Sequence, residues 1–166
     1  PGITPDDALV AVTTLSFDIH VLEIFGPLSV GAKVIVSSRE TATDGWKLLA
    51  LIQESKATIM QATPMTWRLL IEGGWSSAPL KALVGGEALP RDLLANMLER
   101  AGQVWNMYGP TETTVWSTCC QITDASAPIL IGKPIANTQT YIADLHLNPL
   151  PTGVPGELLI GGRGVT

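Results

Sequence analysis

Apolar residues in this chain alternate between two textures. Short, nearly continuous runs at 8–13, 32–36, 57–61, 82–84 and 103–106 read as strands, because a strand covered on both faces has no polar side to alternate with. Between them, apolar positions recur at helical spacing. Val21, Ile24, Phe25 and Leu28 mark a first helix, in which Pro27 removes a backbone donor and predicts a kink or an early end, with Gly31 as the exit. A second begins near Asp44, a good capping residue, and presents Leu48, Leu51 and Ile52 to the sheet. A third opens at Thr63-Pro64, carries Trp67, Leu70 and Ile71 on one face and closes at Gly73-Gly74, with proline inside the start and glycine past the end. A fourth starts at Pro90, buries Leu94, Met97, Leu98 and Ala101, and stops at Gly102.

Strands alternating with helices predict βαβ units and an α/β fold: a flavodoxin-like layered sheet, mainly parallel, with helices on both faces over residues 1–125. Helical periodicity then ceases. Apolar runs at 140–143 and 157–160 flank a Pro/Gly-rich turn region at 148–156, a hairpin that would begin an incomplete, β-rich and barrel-like subdomain over 126–166. The last strand runs directly into Gly161-Gly162-Arg163-Gly164 with no closing helix or polar tail, so both ends are expected to be cut from a longer parent.

Composition narrows the classes. The 166 residues are 46% hydrophobic, enough for a real core, and the net charge of −5 supplies no basic face for nucleic acid or an anionic membrane. No apolar run approaches the roughly 20 residues of a membrane span, and Pro1 to Thr4 lack the layout of a signal peptide. The only two cysteines, Cys119 and Cys120, are neighbours, which suits neither an ordinary disulfide nor spaced metal ligands and favours a reduced, cytoplasmic setting. His20 and His146 are isolated and read as helix-start or surface residues, and Trp46, Trp67, Trp75 and Trp105 as packing residues.

The stretch 106–114, Asn-Met-Tyr-Gly-Pro-Thr-Glu-Thr-Thr, carries the densest chemistry. It follows a strand, where ligands bind in parallel sheets. Gly109-Pro110 forces a turn, so that Tyr108, Thr111 and Glu112 converge: an aromatic plane, a hydroxyl and a carboxylate, suited to adenine, phosphate and magnesium. The alternative is a turn with a capping threonine ahead of a helix.

Residues 108–112 resemble the Tyr-Gly-Pro-Thr-Glu motif of AMP-forming adenylating enzymes. Further segments agree with that family in order and spacing: Leu15-Ser16-Phe17-Asp18 with Glu23-Ile24-Phe25, then 85–89 (Gly-Gly-Glu-Ala-Leu), 131–135 (Ile-Gly-Lys-Pro-Ile) and 156–162 (Gly-Glu-Leu-Leu-Ile-Gly-Gly). Together they cover essentially the whole chain, and the branch they resemble most is the adenylation domain of nonribosomal peptide synthetases.

The resemblance implies that a carboxylate attacks the α-phosphate of ATP to give an acyl adenylate and pyrophosphate, and that the acyl group then passes to a phosphopantetheine thiol on a carrier domain, beside a condensation domain of the same synthetase. Matched by motif, Tyr108 would stack on adenine, Asn106 would bond its amine, and Gly85, Gly86, Glu87, Ala88 and Gly109 would border the nucleotide. Thr111 would donate to the α-phosphate and Glu112 would hold Mg²⁺; these two are the catalytic candidates.

Asp18 matches the position that pairs with the substrate's α-ammonium; it also suits a cap on the helix beginning near His20, and the two roles are compatible. The side-chain pocket would be lined by Ile19, Leu22, Gln61, Leu83, Gly85, Met107, Val115 and Trp116. With an indole among them the smallest amino acid, glycine, is expected, although Trp116 also reads as an ordinary core tryptophan. The family's pyrophosphate-holding loop, ribose-binding aspartate and C-terminal lysine are absent from these residues, so the chain alone is expected to be inactive. Other readings are a noncatalytic, transplantable recognition unit and an acyl-CoA or aryl-acid ligase, the latter at odds with Asp18.

Overall fold

The computed structural model describes residues 1–166 and contains two sheets. Strands β1 (Ala8–Ala11), β2 (Lys33–Val36), β3 (Ile59–Ala62), β4 (Ala78–Val84) and β5 (Ala101–Tyr108) are parallel and lie in the order β2-β1-β3-β4-β5. This is the flavodoxin-like order, which places a ligand-binding switch point between β1 and β3. Two antiparallel strands the hydrophobic pattern did not announce, β6 (Thr118–Ile122) and β7 (Lys133–Pro134), extend the β5 edge. A separate hairpin pairs β8 (Thr138–Ala143) with β9 (Glu157–Gly162), as the flanking turn region predicted.

The pleat sends alternate residues into two cores. Val10, Met60, Ala82 and Val84 enter the larger, where α3 (Gly45–Ser55), α4 (Pro64–Glu72) and α5 (Arg91–Leu98) contribute Leu48, Trp67 and Leu94. Leu9, Ile59 and Leu83 enter the smaller, with Ile19, Met107, Val115 and Trp116. On that side α1 (His20–Val30) covers β1 and β2. A one-turn helix, α2 (Arg39–Ala42), capped by Ser38, precedes α3.

Local chemistry explains the helix ends. Asp44 accepts from the N–H groups of Trp46 (3.0 Å) and Lys47 (3.1 Å), so the expected cap of α3 is made. Pro64 occupies the first turn of α4 and Gly73 its C-cap. Two expectations fail. Ala101 and Gly102 belong to β5 rather than to the end of α5, which stops at Leu98. Helix α1 runs through Pro27 to Val30 rather than ending early, with Gly31 as its C-cap; Glu23 and Pro27 are buried, while Phe25 and Leu28 are 61% and 58% exposed. Glu23 tolerates burial because its carboxylate finds hydrogen-bond donors inside the fold. No helix is long and apolar enough to cross a membrane.

Helices α3 and α4 meet backbone to backbone. A Cβ at Gly45 would lie 2.9 Å from the Leu69 carbonyl carbon and 3.1 Å from Gly73 Cα. Alanine in a helix interior is favoured over glycine by about 1 kcal/mol, but here rigid backbone must move. Gly45→Ala is therefore expected to lower stability by about 1–3 kcal/mol, read as a lower urea midpoint; an unchanged or higher midpoint would show that the helices separate freely.

Candidate nucleotide and amino-acid site

The predicted residues gather at the carboxyl edge of the parallel strands. Asp18 and Ile19 follow β1, Gln61 lies in β3, residues 85–88 follow β4, and residues 106–111 end β5 and turn away from it. Two adjoining cavities result.

The first, about 530 Å³, is bordered by Gly86, Glu87, Ala88, Asn106, Tyr108 and Gly109, with Ile129 and Ile131 closing the far side. Gly86 sits at φ 82°, a left-handed turn that glycine adopts at no steric cost. Asn106 donates from Nδ2 to the Leu130 carbonyl (2.9 Å), which leaves its Oδ1 to accept from a ligand. Tyr108 is partly exposed, its ring available for stacking. No lysine or arginine borders this cavity.

Residues Thr111–Thr113 form a single 3₁₀ turn rather than the start of a helix. Thr111 and Glu112 are exposed, and the Glu112 carboxylate makes no bond within the protein. Beyond them Thr114 and Val115 adopt φ 61° and 66°. A left-handed valine is strained by roughly 1–3 kcal/mol and persists only where its surroundings fix it. Here the turn at Gly109 passes so close that a Cβ on it would lie 2.6 Å from the Val115 carbonyl oxygen, and Ser117 N–H donates to Tyr108 O (2.8 Å). The strained pair delivers Trp116 into the smaller core.

The second cavity, about 270 Å³, is predominantly apolar and is bordered by Leu22, Ile59, Leu83, Met107 and Trp116, with Pro1 to Ile3, Lys81 and Ile135 completing its lining. Ile19 and Val115 belong to the same packed cluster. Trp116 is 4% exposed. Its Nε1–H donates to Gln61 Oε1 (2.7 Å), and its ring covers Gly85 so closely that a Cβ there would stand 2.6 Å from Cζ3. Gly85 thus lies under the indole, and neither it nor Thr111 borders the first cavity.

Asp18 lines neither cavity, but its two chain neighbours reach toward both. Its neighbour Phe17 stands 3.7 Å from where a Cβ on Gly86 would be, and Ile19 O accepts from Gln61 Nε2 (2.8 Å). The half-buried Asp18 carboxylate has no protein partner, and α1 begins without a side-chain cap. The capping alternative is therefore not realised. His20 bonds only to the Phe17 carbonyl through Nδ1, in keeping with a helix-start role.

Glu23 and Thr13 escaped the sequence-based list of site residues. Thr13 donates to Glu23 from its backbone N–H (3.0 Å) and its hydroxyl (2.6 Å), and Gln61 Nε2 donates at 3.3 Å. Burial pushes the Glu23 carboxyl above its ordinary value, and these bonds oppose the rise without cancelling it. The only advance signal was its place in the Glu23-Ile24-Phe25 segment.

The full length of the chain, residues 1–166, matches the family model described as AMP-binding enzyme. The chain belongs to that family. Among AMP-binding enzymes it is 43% identical over 166 residues to a dimodular nonribosomal peptide synthase of Bacillus subtilis (strain 168), covering 96% of this chain and 7% of that protein. A PKS-NRPS hybrid synthetase of Aspergillus candidus is 41% identical, over 99% of this chain and 7% of its own length. The crystal structure of a four-domain nonribosomal peptide synthetase bound to AMP and glycine superposes with a TM-score of 0.93 at 46% identity, covering 98% of this chain and 12% of that one. The chain thus spans a small part of each relative.

Proposed function

We propose that residues 1–166 form the substrate-selecting core of an amino-acid adenylation domain in a nonribosomal peptide synthetase, acting on ATP and glycine. The observation that carries this reading is the half-buried carboxylate of Asp18, which has no protein partner and lies between Phe17, beside Gly86, and Ile19, bonded to Gln61. An α-ammonium would neutralise it there, with the substrate carboxylate directed toward the nucleotide cavity. Fatty and aryl acids lack that cation.

In this reading Tyr108 stacks on adenine, Asn106 Oδ1 accepts from its exocyclic amine, and the backbone of Gly86 to Ala88 follows the ring. Thr111 donates to the α-phosphate as the amino-acid carboxylate attacks it and pyrophosphate leaves. The exposed Glu112 carboxylate would hold Mg²⁺, which would supply positive charge against the phosphates. The aminoacyl group then passes to the phosphopantetheine thiol of a carrier domain, with a condensation domain as the further partner. Trp116, lying over Gly85 and bonded to Gln61, closes the space beyond the α-carbon and supports glycine as substrate. A glycine-bound structural relative points the same way. We read β8 and β9 as the opening of a β-rich subdomain over 126–166, and the free neighbouring cysteines as fitting a cytoplasmic setting.

Since no cation borders the nucleotide cavity, the chain by itself is read as a recognition core that needs a lysine or arginine from elsewhere in its parent. The test is ATP–pyrophosphate exchange against a panel of amino acids in an adenylation domain containing residues 1–166, beside the isolated chain. Glycine-dominated exchange in the first and none in the second is expected. Exchange dominated by a large amino acid would overturn glycine, and robust exchange by the chain alone would overturn the need for an outside cation.

A further inference from the structure

Glu23 is fully buried, no cation faces it, and none of the proposed catalytic steps uses it. Its bonds nevertheless lead to the pocket wall. Glu23 Oε1 and the Ile19 carbonyl both accept from Gln61 Nε2, so Gln61 must point Oε1 the other way, at the indole N–H of Trp116. Reversing that amide would set oxygen against two acceptors and a donor against the indole donor. Glu23 also governs the second acceptor, because the two hydrogen bonds it accepts from Thr13 tie the first turn of α1, which follows Ile19, to the segment leaving β1.

We propose that Glu23 is a positioning residue for amino-acid selection: by fixing the orientation of the Gln61 amide it holds the Trp116 indole across the pocket. This rests on the adenylation reading above. A glutamine of the same size would avoid burying charge, but cannot replace the carboxylate. The nitrogen end of its amide would meet a donor: Thr13 N–H, which loosens the turn that presents the Ile19 carbonyl to Gln61, or Gln61 Nε2, which turns Gln61 away from Trp116. The burial cost of the charge is thus tied to an all-acceptor requirement.

The experiment is a double-mutant cycle in an intact adenylation domain containing residues 1–166, measuring kcat/KM for glycine and alanine in pyrophosphate exchange with wild type, Glu23→Gln, Trp116→Phe and the pair. An indole N–H left without its acceptor implies that Glu23→Gln lowers the preference for glycine over alanine about tenfold, with KM for ATP unchanged. In the Trp116→Phe background, where no N–H remains to be satisfied, Glu23→Gln should have no further effect on preference. Equal effects in both backgrounds, or a change confined to overall rate, would overturn the proposal. Where Glu23→Gln does not fold, Thr13→Val takes its place, removing one donor to the carboxylate while sparing the backbone bond. A smaller loss of preference that again vanishes with Trp116→Phe is expected, and unchanged preference overturns the assignment. If wild type favours another amino acid, the glycine reading alone fails, and the cycle is run with that amino acid and its next larger homologue.

Discussion

Asp18→Ala is expected to lower amino-acid-dependent pyrophosphate exchange by about 30- to 5,000-fold, the kinetic equivalent of the roughly 2–5 kcal/mol lost when one partner of a desolvated charge pair is removed. The carboxylate is half-buried, caps no helix and pairs with no cation of the protein, so its interaction energy is available to a ligand. The loss should appear in kcat/KM for the amino acid, with KM for ATP little changed, because Asp18 does not border the nucleotide cavity. Asp18→Asn keeps the shape without the charge and should lose nearly as much. Near-normal exchange by both variants would remove Asp18 from amino-acid recognition.

The second large effect is a change of substrate. Trp116 itself walls an apolar cavity of about 270 Å³, together with Leu22, Leu83 and Met107. Under the proposed assignment Trp116→Ala enlarges that space toward the substrate, and Gly85 beneath the indole adds no side chain to refill it. Burying a leucine or phenylalanine side chain there contributes about 1.5–3 kcal/mol, so kcat/KM for these amino acids should rise by about ten- to a hundredfold while glycine falls. Removing a buried tryptophan also costs about 3–5 kcal/mol of stability, which thermal unfolding of the variant would register separately. A folded Trp116→Ala domain that still selects glycine would show that the indole is not the wall.

Much of this arrangement was legible in the sequence. The short apolar runs located every parallel strand, since strands buried on both faces leave that trace, and the motif segments at 85–89 and 106–112 fall largely on the border of the first cavity, at strand ends. What stayed hidden depended on contacts between distant residues. β6 reads Thr-Cys-Cys-Gln-Ile, too mixed to signal a strand until it is paired with β5. Helical spacing marked α1 by Val21, Ile24, Phe25 and Leu28, yet its buried side carries Glu23, satisfied by Thr13 and by Gln61 from another strand. No local pattern announces a carboxylate whose donors lie so far along the chain. Ala101 went to the wrong element because an apolar residue at helical spacing also begins β5.

Along β5 the pleat divides adjacent residues between two tasks. Asn106 and Tyr108 lie on the side proposed for the nucleotide, while Met107 between them, although it also borders that cavity, packs into the apolar cluster around Trp116. Under the proposed assignment, ATP is a shared requirement of every such domain and the amino acid is what distinguishes one from another. Mutations can therefore accumulate on one face of the strand while the other stays under purifying selection. Under that assignment a lineage of these enzymes can acquire new building blocks by point changes at positions such as Trp116, without first passing through a form that has lost its nucleotide.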